Sequence, residues 1–224
     1  MALLFSDKIP LSIRNAFVIE VQKIADDLGF YNADWLMLVF RAESNVNPQA
    51  VNPNSNATGL IQFLPSTARD LGTTVENLKK LNALQQLPYV REYLRRAIKI
   101  KSVPKSAYDL YFLVHYPKAF QKSNETVLYS SDTTAYKNNP LDYNKNGDVT
   151  VAEVKAFLNK FVPVGYDYLL LESAKKQDSI IENVPNYVLI IILSLLFGSA
   201  VFLGWFKLLF TAIKIFLKSI FTRK

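Results

Sequence analysis

A single glutamate at the end of an apolar helical run is the first residue in this sequence that is placed for chemistry. Residues 35–40 form the run, Glu43 follows it closely, and a polar loop begins directly afterwards. An apolar segment opened by Gly59 then leads through Pro65 into the next predicted helix. The negative end of a helix and desolvation by aromatic neighbours both favour the protonated form of a carboxyl. The pattern therefore predicts that Glu43 can act as a general acid.

Residues 142–153 have the spacing of a calcium-binding loop. Side chains that carry oxygen stand at alternate positions, and Gly147 stands where such a loop turns sharply. The predicted calcium ligands are Asp142, Asn144, Asn146, the carbonyl of Asp148, Thr150 and the bidentate Glu153. Because few of these groups are charged, we expect a weak, structural calcium site that the chemistry does not require. The alternative is a turn whose Asn and Asp side chains bond only to backbone.

Helices must position these groups, since hydrophobic periodicity predicts a mainly α fold. The predicted helices are residues 10–28, 33–43, 66–71, 75–81, 88–100, 107–115 and 151–161. Asn32, Thr74 and Ser106 each place a short polar acceptor directly before a helix. Residues 44–63 are rich in Asn, Pro and Ser, and they are predicted to form a loop with at most a short extended piece around 60–63.

The C-terminal part of the sequence predicts a membrane anchor behind one globular domain. Residues 1–161 form the predicted domain, and residues 162–185 form a linker. Residues 187–206 carry no charge and are long enough to cross ~30 Å of hydrocarbon, so we place a transmembrane helix at 186–206. Residues 207–224 form a basic amphipathic tail that either lies on the membrane surface or extends the spanning helix.

Charge is unevenly distributed along the chain, whose formal net charge is +7. Residues 186–224 hold five of the 26 Lys and Arg residues and none of the 19 Asp and Glu residues. Most of the excess positive charge therefore lies in the tail, where it could bind the phosphates of lipid or nucleic acid. The sequence contains no cysteine, which excludes disulfides, thiol catalysis and cysteine metal sites.

The residues around Glu43 and Gly59 resemble two sequence blocks of the soluble lytic transglycosylases, which share a lysozyme-like fold with goose-type lysozyme. Glu43-Ser44, followed by an Asn-Pro-x-Ala sequence, is similar to the catalytic block of that family. The sequence Gly-Leu-Ile-Gln at 59–62 is similar to its Gly-Leu-Met-Gln block. The resemblance implies that Glu43 is the catalytic acid and base. It also implies that Ser44, Gly59 and Gln62 bind the substrate or support its binding.

A third block of that family, Ala-Tyr-Asn-Ala-Gly, is replaced by a different sequence at residues 111–119. This segment and the calcium-like loop that follows it resemble phage-borne members. The aromatic residues Tyr108, Tyr111 and Tyr116 are predicted to line the sugar groove. At helical spacing, some aromatic residues of this segment must belong to the core. The sole histidine, His115, either serves a Ser-His-Asp arrangement with Ser44 or is structural, which is the commoner role.

The resemblance implies cleavage of the β-1,4 bond between N-acetylmuramic acid and N-acetylglucosamine in peptidoglycan. In the family, one carboxyl protonates the glycosidic oxygen and later takes the proton of the muramic C6 hydroxyl, which gives a 1,6-anhydro product. The first alternative is hydrolysis, as in goose-type lysozyme. The others are a catalytically inactive wall-binding or virion structural protein and a membrane-active protein.

Such an enzyme is expected to work outside the cytoplasm. The first residues of the sequence lack the positive leader and the long apolar core of a secretory signal. We therefore predict a phage virion enzyme, held by a single pass in an internal viral membrane, with capsid proteins and packaged nucleic acid as further partners. The alternative is the bacterial inner membrane with the domain in the periplasm.

Overall fold

The computed structural model describes residues 3–139, 141–166 and 171. The helices of this part of the chain are α1 Leu11–Leu28, α2 Asp34–Ser44, α3 Pro65–Asp70, α4 Val75–Lys80, α5 Ala83–Ile100, α6 Ala107–His115, α7 Thr134–Asn138 and α8 Val151–Asn159. Two strands, β1 Val127–Ser130 and β2 Asp148–Thr150, and two 3₁₀ turns, Ser6–Lys8 and Pro117–Ala119, complete the elements. The predicted mainly helical class is confirmed for the described residues.

Helix α2 runs through the centre of the hydrophobic core. The side chains of residues 35–40 on this helix are all fully buried. Helix α2 contacts α6 along its length, while α1 packs against α5. An unbroken apolar run is what a helix needs when neighbours cover it on every side. Close packing around α2 therefore fixes the direction of the helix that carries Glu43.

A buried acid, Asp34, anchors the first turn of α2. Its carboxylate accepts hydrogen bonds from the N–H of Leu4 at 2.8 Å and from the hydroxyl of Tyr166 at 3.2 Å. Burial raises the pKa of the Asp34 carboxyl above its ordinary value of 3.8, although these hydrogen bonds act in the opposite direction. Asn32, the predicted cap, accepts the N–H of Asp34 at 2.9 Å, and the helix begins one residue later than predicted. The start of α2 thus holds chain segments from both ends of the described domain.

Helix α5 begins five residues before its predicted start at Pro88. A capping box closes its first turn, because the side chains of Asn82 and Gln85 each accept the backbone N–H of the other. Pro88 therefore lies inside the helix. The prediction was wrong here because this box and the burial of Leu87 and Val90 outweigh the hydrogen bond that proline cannot donate.

Two predicted helix caps are confirmed. The Thr74 hydroxyl accepts the N–H of Asn77 at 3.1 Å at the start of α4. The Ser106 hydroxyl accepts the N–H of Asp109 at 3.0 Å at the start of α6. Each bond satisfies one N–H group that the first helical turn leaves without a partner. The second cap fixes the beginning of α6, which carries Tyr111.

A small antiparallel sheet lies where the sequence predicted only helix and loop. Strand β1 pairs with β2, with Val127 opposite Thr150 and Ser130 opposite Asp148. Strands of three or four residues are too short for alternation to be recognised in a sequence. The pairing places the second half of the predicted calcium loop against β1.

Most of the predicted C-terminal features lie outside the described residues. These features are the transmembrane segment 186–206, the basic tail 207–224 and most of the linker 162–185. The chain divides after Ser173 into two units, and all described residues belong to the first. Across the described ranges, no helix combines the length and the apolar character that a membrane span requires.

Candidate active site

Glu43 lies in the last turn of α2, and the chain turns sharply after this helix ends. Asn45 and Val46 both have left-handed backbone conformations, with φ of 57° and 62°. Their N–H groups return to the carbonyls of Arg41 at 3.2 Å and Phe40 at 3.0 Å. A β-branched residue rarely adopts a positive φ, so the turn next to the acid is strained.

Ser44, which was predicted to bind substrate, is buried beneath the loop. Its hydroxyl lies 3.0 Å from the carbonyl oxygens of both Phe40 and Leu60, and the residue is 7% exposed. It ties the end of α2 to the following loop and does not line the cleft beside Glu43. The same contacts occupy the hydroxyl that a Ser-His-Asp arrangement with His115 would need.

Gly59 shapes the loop rather than the wall of the cleft. Its φ of +86° lies in the left-handed region, and a Cβ atom at this position would lie 2.5 Å from Oε1 of Gln86. Its N–H donates to the carbonyl of Ala50 at 2.9 Å. Both the conformation and the closeness of Gln86 therefore require glycine. The structure does not place Gly59 on the cleft surface, where the resemblance implied contact with the sugar.

Gln86, which was not among the predicted site residues, holds this loop in place. Its Nε2 donates to the carbonyls of Pro48 at 2.7 Å and Leu78 at 2.9 Å, and its Oε1 accepts the N–H of Leu60 at 2.9 Å. The side chain is fully buried. A polar residue on the apolar stripe of α5 was the signal that could have identified it. A satisfied buried amide of this kind favours one loop conformation over others.

A cleft of about 580 Å³ opens beside Glu43. Two other cavities in the described residues are smaller, at about 420 Å³ and 280 Å³. The polar residues that line the cleft are Glu43, Asn52, Ser55, Gln62, Tyr111, His115, Tyr116, Tyr129, Asn139, Tyr143 and Lys160. Aromatic rings combined with a few amides and hydroxyls suit the binding of a sugar chain.

Three residues that were predicted to bind substrate meet Glu43 in this cleft, namely Gln62, Tyr111 and Tyr116. Gln62, at the end of the loop, adopts a left-handed backbone conformation with φ of 53°. The hydroxyl of Tyr116 donates to the carbonyl of Leu128 at 3.1 Å. The structure therefore joins residues from the second and third sequence blocks around the predicted acid.

Aromatic groups surround the carboxylate of Glu43, whose side chain is 13% exposed. Burial, followed by the charge of Glu43, raises the pKa of Tyr111 well above its ordinary value. Burial, followed by the charge of Glu43, raises the pKa of Tyr93 to about 12. Both tyrosines are thus neutral hydrogen-bonding groups near the acid at ordinary pH.

His115 also belongs to this site. Its Nδ1 lies 3.6 Å from Oε1 of Glu43. Its ring stacks on Tyr111 with ring centroids 5.1 Å apart and an angle of 9° between the planes. A structural role was the commoner of the two roles predicted for this lone histidine. No pattern in the sequence indicated that His115 on α6 would face Glu43 on α2.

Glu43 is the only carboxyl among the described residues that line the cleft. A glycosidase that forms a covalent sugar–enzyme intermediate needs a second carboxyl about 5 Å from the first. The described cleft offers one carboxyl, held beside a tyrosine hydroxyl and an imidazole. This arrangement can support chemistry in which one group both gives and takes a proton.

The predicted calcium loop at 142–153 folds around its own oxygen atoms. The Asp142 carboxylate accepts the N–H of Asn146 at 3.1 Å and of Gly147 at 2.9 Å. The side-chain oxygen of Asn144 accepts the N–H of Asn146 at 2.9 Å. Gly147 has the left-handed φ of +89° that the sharp turn in such a loop requires.

The other end of this loop closes on Glu153. Its carboxylate accepts the N–H groups of Tyr143 at 3.0 Å and Thr150 at 2.9 Å. The N–H of Asn144 at 3.5 Å and the hydroxyl of Thr150 at 3.0 Å also donate to this carboxylate, so a calcium ion would have to replace some of these bonds. The types of oxygen donor in the loop are those of a weak calcium site. Within the described ranges, however, no cluster of three or more His, Cys, Asp or Glu side chains is arranged to hold a metal. The bonds also fit the alternative of a self-bonded turn.

No curated protein and no solved structure matches this chain. Residues 29–88, which run from the end of α1 to Pro88 in α5, do match the family model described as the Transglycosylase SLT domain. The matched segment contains Glu43, Gln62 and Gln86. Over these residues the chain is similar to the lytic transglycosylase family, and a mainly helical domain that places a single carboxyl in the described cleft agrees with that similarity.

Proposed function

We propose that this protein is a peptidoglycan lytic transglycosylase in which Glu43 is both the acid and the base. The observation that carries the proposal is the position of Glu43, the sole carboxyl of the described cleft lining, within the segment that matches the Transglycosylase SLT domain. That family suggests activity on peptidoglycan, so glycan strands are the proposed substrate.

The mechanism needs two proton transfers through one carboxyl. Protonated Glu43 gives its proton to the oxygen that joins N-acetylmuramic acid to N-acetylglucosamine, and the bond from that oxygen to muramic C1 breaks. The Glu43 carboxylate then removes the proton of the C6 hydroxyl, and the C6 oxygen bonds to C1. The product is a 1,6-anhydro sugar, Glu43 regains its proton, and no water is consumed.

The neighbours of Glu43 support this sequence of steps. The imidazole of His115, whose Nδ1 lies 3.6 Å from Oε1 of Glu43 and whose ring stacks on Tyr111, restricts the carboxyl to a narrow set of positions. Once a glycan strand fills the cleft, the aromatic rings of its lining would limit the access of water to the developing positive charge on the sugar. Exclusion of water favours attack by the C6 hydroxyl over hydrolysis.

The test is mass spectrometry of purified peptidoglycan after digestion by the full chain in detergent. Glu43→Gln keeps the size of the side chain but removes the proton that the mechanism transfers, so we expect product formation to fall by about 10² to 10⁴. Glu125→Gln is the matched control, since Glu125 is an exposed acid that does not line the cleft. Anhydro products that depend on Glu43 support the proposal.

Two other results would assign a different function. Products with reducing ends that depend on Glu43 would show hydrolysis, as in a goose-type lysozyme. A folded wild-type chain that binds peptidoglycan without releasing products would favour a catalytically inactive wall-binding or structural protein.

We also propose that the loop at 142–153 binds calcium weakly. The oxygen atoms of Asp142, Asn144, Asn146 and Glu153, with the carbonyl of Asp148, are the proposed ligands. For a dissociation constant of about 10⁻⁴ to 10⁻³ M, 10 mM calcium stabilises the fold by about 1.4 to 2.7 kcal/mol. The measurement is thermal unfolding in calcium against a chelator, with Asp142→Asn as the variant that should lose the shift. An equal melting temperature in both buffers would favour the self-bonded turn.

A membrane location is the last part of the proposal, and it rests on sequence alone. The uncharged residues 187–206 are the proposed single pass, with the basic residues 207–224 facing phosphates of lipid or packaged nucleic acid. We propose the internal membrane of a phage virion, with capsid proteins as neighbours, and the bacterial inner membrane as the alternative. Protease treatment of purified virions, followed by detection of the domain and the tail, distinguishes which part faces the capsid.

A further inference from the structure

Lys160 carries a charge in the cleft that the proposed mechanism does not use. It directly follows α8 and lines the same cleft as Glu43. Among the described residues of that lining, these two are the only ones with a formal charge when the histidine is neutral. A cation in a substrate cleft needs an explanation, because the N-acetylated sugar rings of the proposed glycan strand are uncharged.

The ammonium group of Lys160 is positioned by a ring and not by an acid. Its Nζ lies 3.7 Å from the centroid of the Tyr143 ring, close enough for a cation–π interaction. In the described part of the chain, Lys160 forms no salt bridge. The ring therefore orients the positive charge without neutralising it, and the charge stays available to an anion.

Lys155, which lies within α8, shows the contrasting arrangement. The Nζ of Lys155 donates to Oδ1 of Asn124 at 2.8 Å and lies 5.4 Å from the centroid of the Tyr108 ring. Lys155 does not line the cleft. Each lysine thus has its own tyrosine neighbour, but only Lys160 lines the cleft.

The lining of the same cleft also contains a buried hydroxyl that makes no hydrogen bond. The hydroxyl of Tyr129 is buried and makes no hydrogen bond, and the residue is 5% exposed. Tyr129 and Tyr143 both line the cleft. A buried hydroxyl without a partner is costly, and a polar ligand that reaches it would remove that cost. The cation and the hydroxyl are both donors that a carboxylate can accept, and both belong to one cleft.

We infer that Lys160 and Tyr129 recognise the peptide stem of peptidoglycan through one of its carboxylates, so that the enzyme prefers strands that carry charged stems. This inference rests on the proposed function, because it concerns the same cleft and the same reaction. It identifies Lys160 as a residue that determines specificity, whereas Glu43 performs the chemistry. An exposed ion pair in water predicts a preference of about three-fold to five-fold.

The test compares two substrates made from the same peptidoglycan after removal of covalently attached anionic polymers. One keeps its stem carboxylates, and in the other they are converted to amides with carbodiimide and ammonia. The full-length wild-type chain should cleave the charged substrate with a higher kcat/KM by about three-fold to five-fold. Raising the salt concentration to 1 M should remove most of this preference, since the Debye length then falls to about 3 Å.

Three variants locate the preference. Lys160→Gln should cleave both substrates at similar rates, while Lys160→Arg should keep the preference because it keeps the charge. Lys155→Gln is the matched control and should behave like the wild type. Thermal unfolding of each variant shows whether a change in activity comes from loss of folded protein, which would lower both rates and leave their ratio unchanged.

The possible failures can be told apart. Equal rates on both substrates for the wild type, or a preference that survives in Lys160→Gln, would overturn this inference and leave the proposed function intact. A preference that appears only when anionic wall polymers are left attached would show that Lys160 recognises such a polymer and not the peptide stem. That result would overturn the inference. If neither substrate yields product, the proposed function is overturned as well.

Discussion

Replacing Gly59 by alanine should destabilise the protein far more than the same change at Gly72. Both glycines have left-handed backbones, with φ of +86° and +75°. Alanine in this conformation costs about 1–2 kcal/mol at either site. A new Cβ at Gly72 meets nothing within 4 Å, whereas at Gly59 it would lie 2.5 Å from Oε1 and 3.0 Å from Nε2 of Gln86. The difference between the two variants therefore isolates the effect of the clash.

The bonds of Gln86 set the size of that difference. If its amide moves away from the new Cβ, the N–H of Leu60 and the carbonyl of Pro48 lose their hydrogen bonds. The carbonyl of Leu78 keeps a bond from the N–H of Leu81 at 3.0 Å. Each buried group left without a partner costs about 1–3 kcal/mol. We expect Gly59→Ala to lower the free energy of unfolding by about 2–6 kcal/mol more than Gly72→Ala does.

Urea unfolding followed by tryptophan fluorescence measures both variants, because Trp35 is fully buried. A double-mutant cycle identifies the cause. In a Gln86→Ala background the clash is absent, so Gly59→Ala should then cost no more than Gly72→Ala. Equal losses for the two glycines in the wild-type background, or an undiminished cost in the Gln86→Ala background, would refute the reasoning.

Two further changes test the contacts at the ends of α2. Ser44→Ala should lower the free energy of unfolding by about 1–2 kcal/mol, because the hydroxyl 3.0 Å from the carbonyl of Leu60 is lost; a change in the urea midpoint that corresponds to less than about 0.5 kcal/mol would contradict this value. Asp34→Asn tests the raised pKa of Asp34. The folded state holds this proton more tightly than the unfolded state, so the contribution of Asp34 to stability should fall as pH rises from 3.8 through the raised pKa. The melting temperature of Asp34→Asn, relative to that of the wild type, should therefore rise with pH across this range. A difference between the two melting temperatures that does not change with pH would contradict the raised pKa.

The sequence predicted the helix that carries Glu43 because an unbroken apolar run followed by a polar loop has few other interpretations. It also predicted the caps at Thr74 and Ser106, where short polar side chains act on N–H groups a few residues away. These features depend on neighbours in the chain. Local signals of this kind can be read from one sequence without knowledge of the fold.

The features that the sequence did not reveal depend on distant contacts. His115 reaches Glu43 only because α6 packs on α2, and Gln86 meets Leu60 across 26 positions of the chain. Ser44 was interpreted through its neighbour Glu43, yet its hydroxyl faces the carbonyl of Leu60. Pro88 was predicted to begin α5, but the helix begins upstream of it, at a capping box. Sequence periodicity does not specify which surfaces meet.

The two sides of the cleft come from separate stretches of the chain. Glu43 and Gln62 belong to residues 29–88, whereas Tyr129, Tyr143 and Lys160 come from a later stretch that the family model does not cover. Substitutions at Tyr129, Tyr143 and Lys160 can therefore change one part of the cleft lining and leave the matched segment that carries Glu43 unaltered. Under the function proposed above, this separation would let substrate preference change while the acid stays in place. Those three positions, and not Tyr111 or His115 beside Glu43, are the ones to vary when a different glycan substrate is sought.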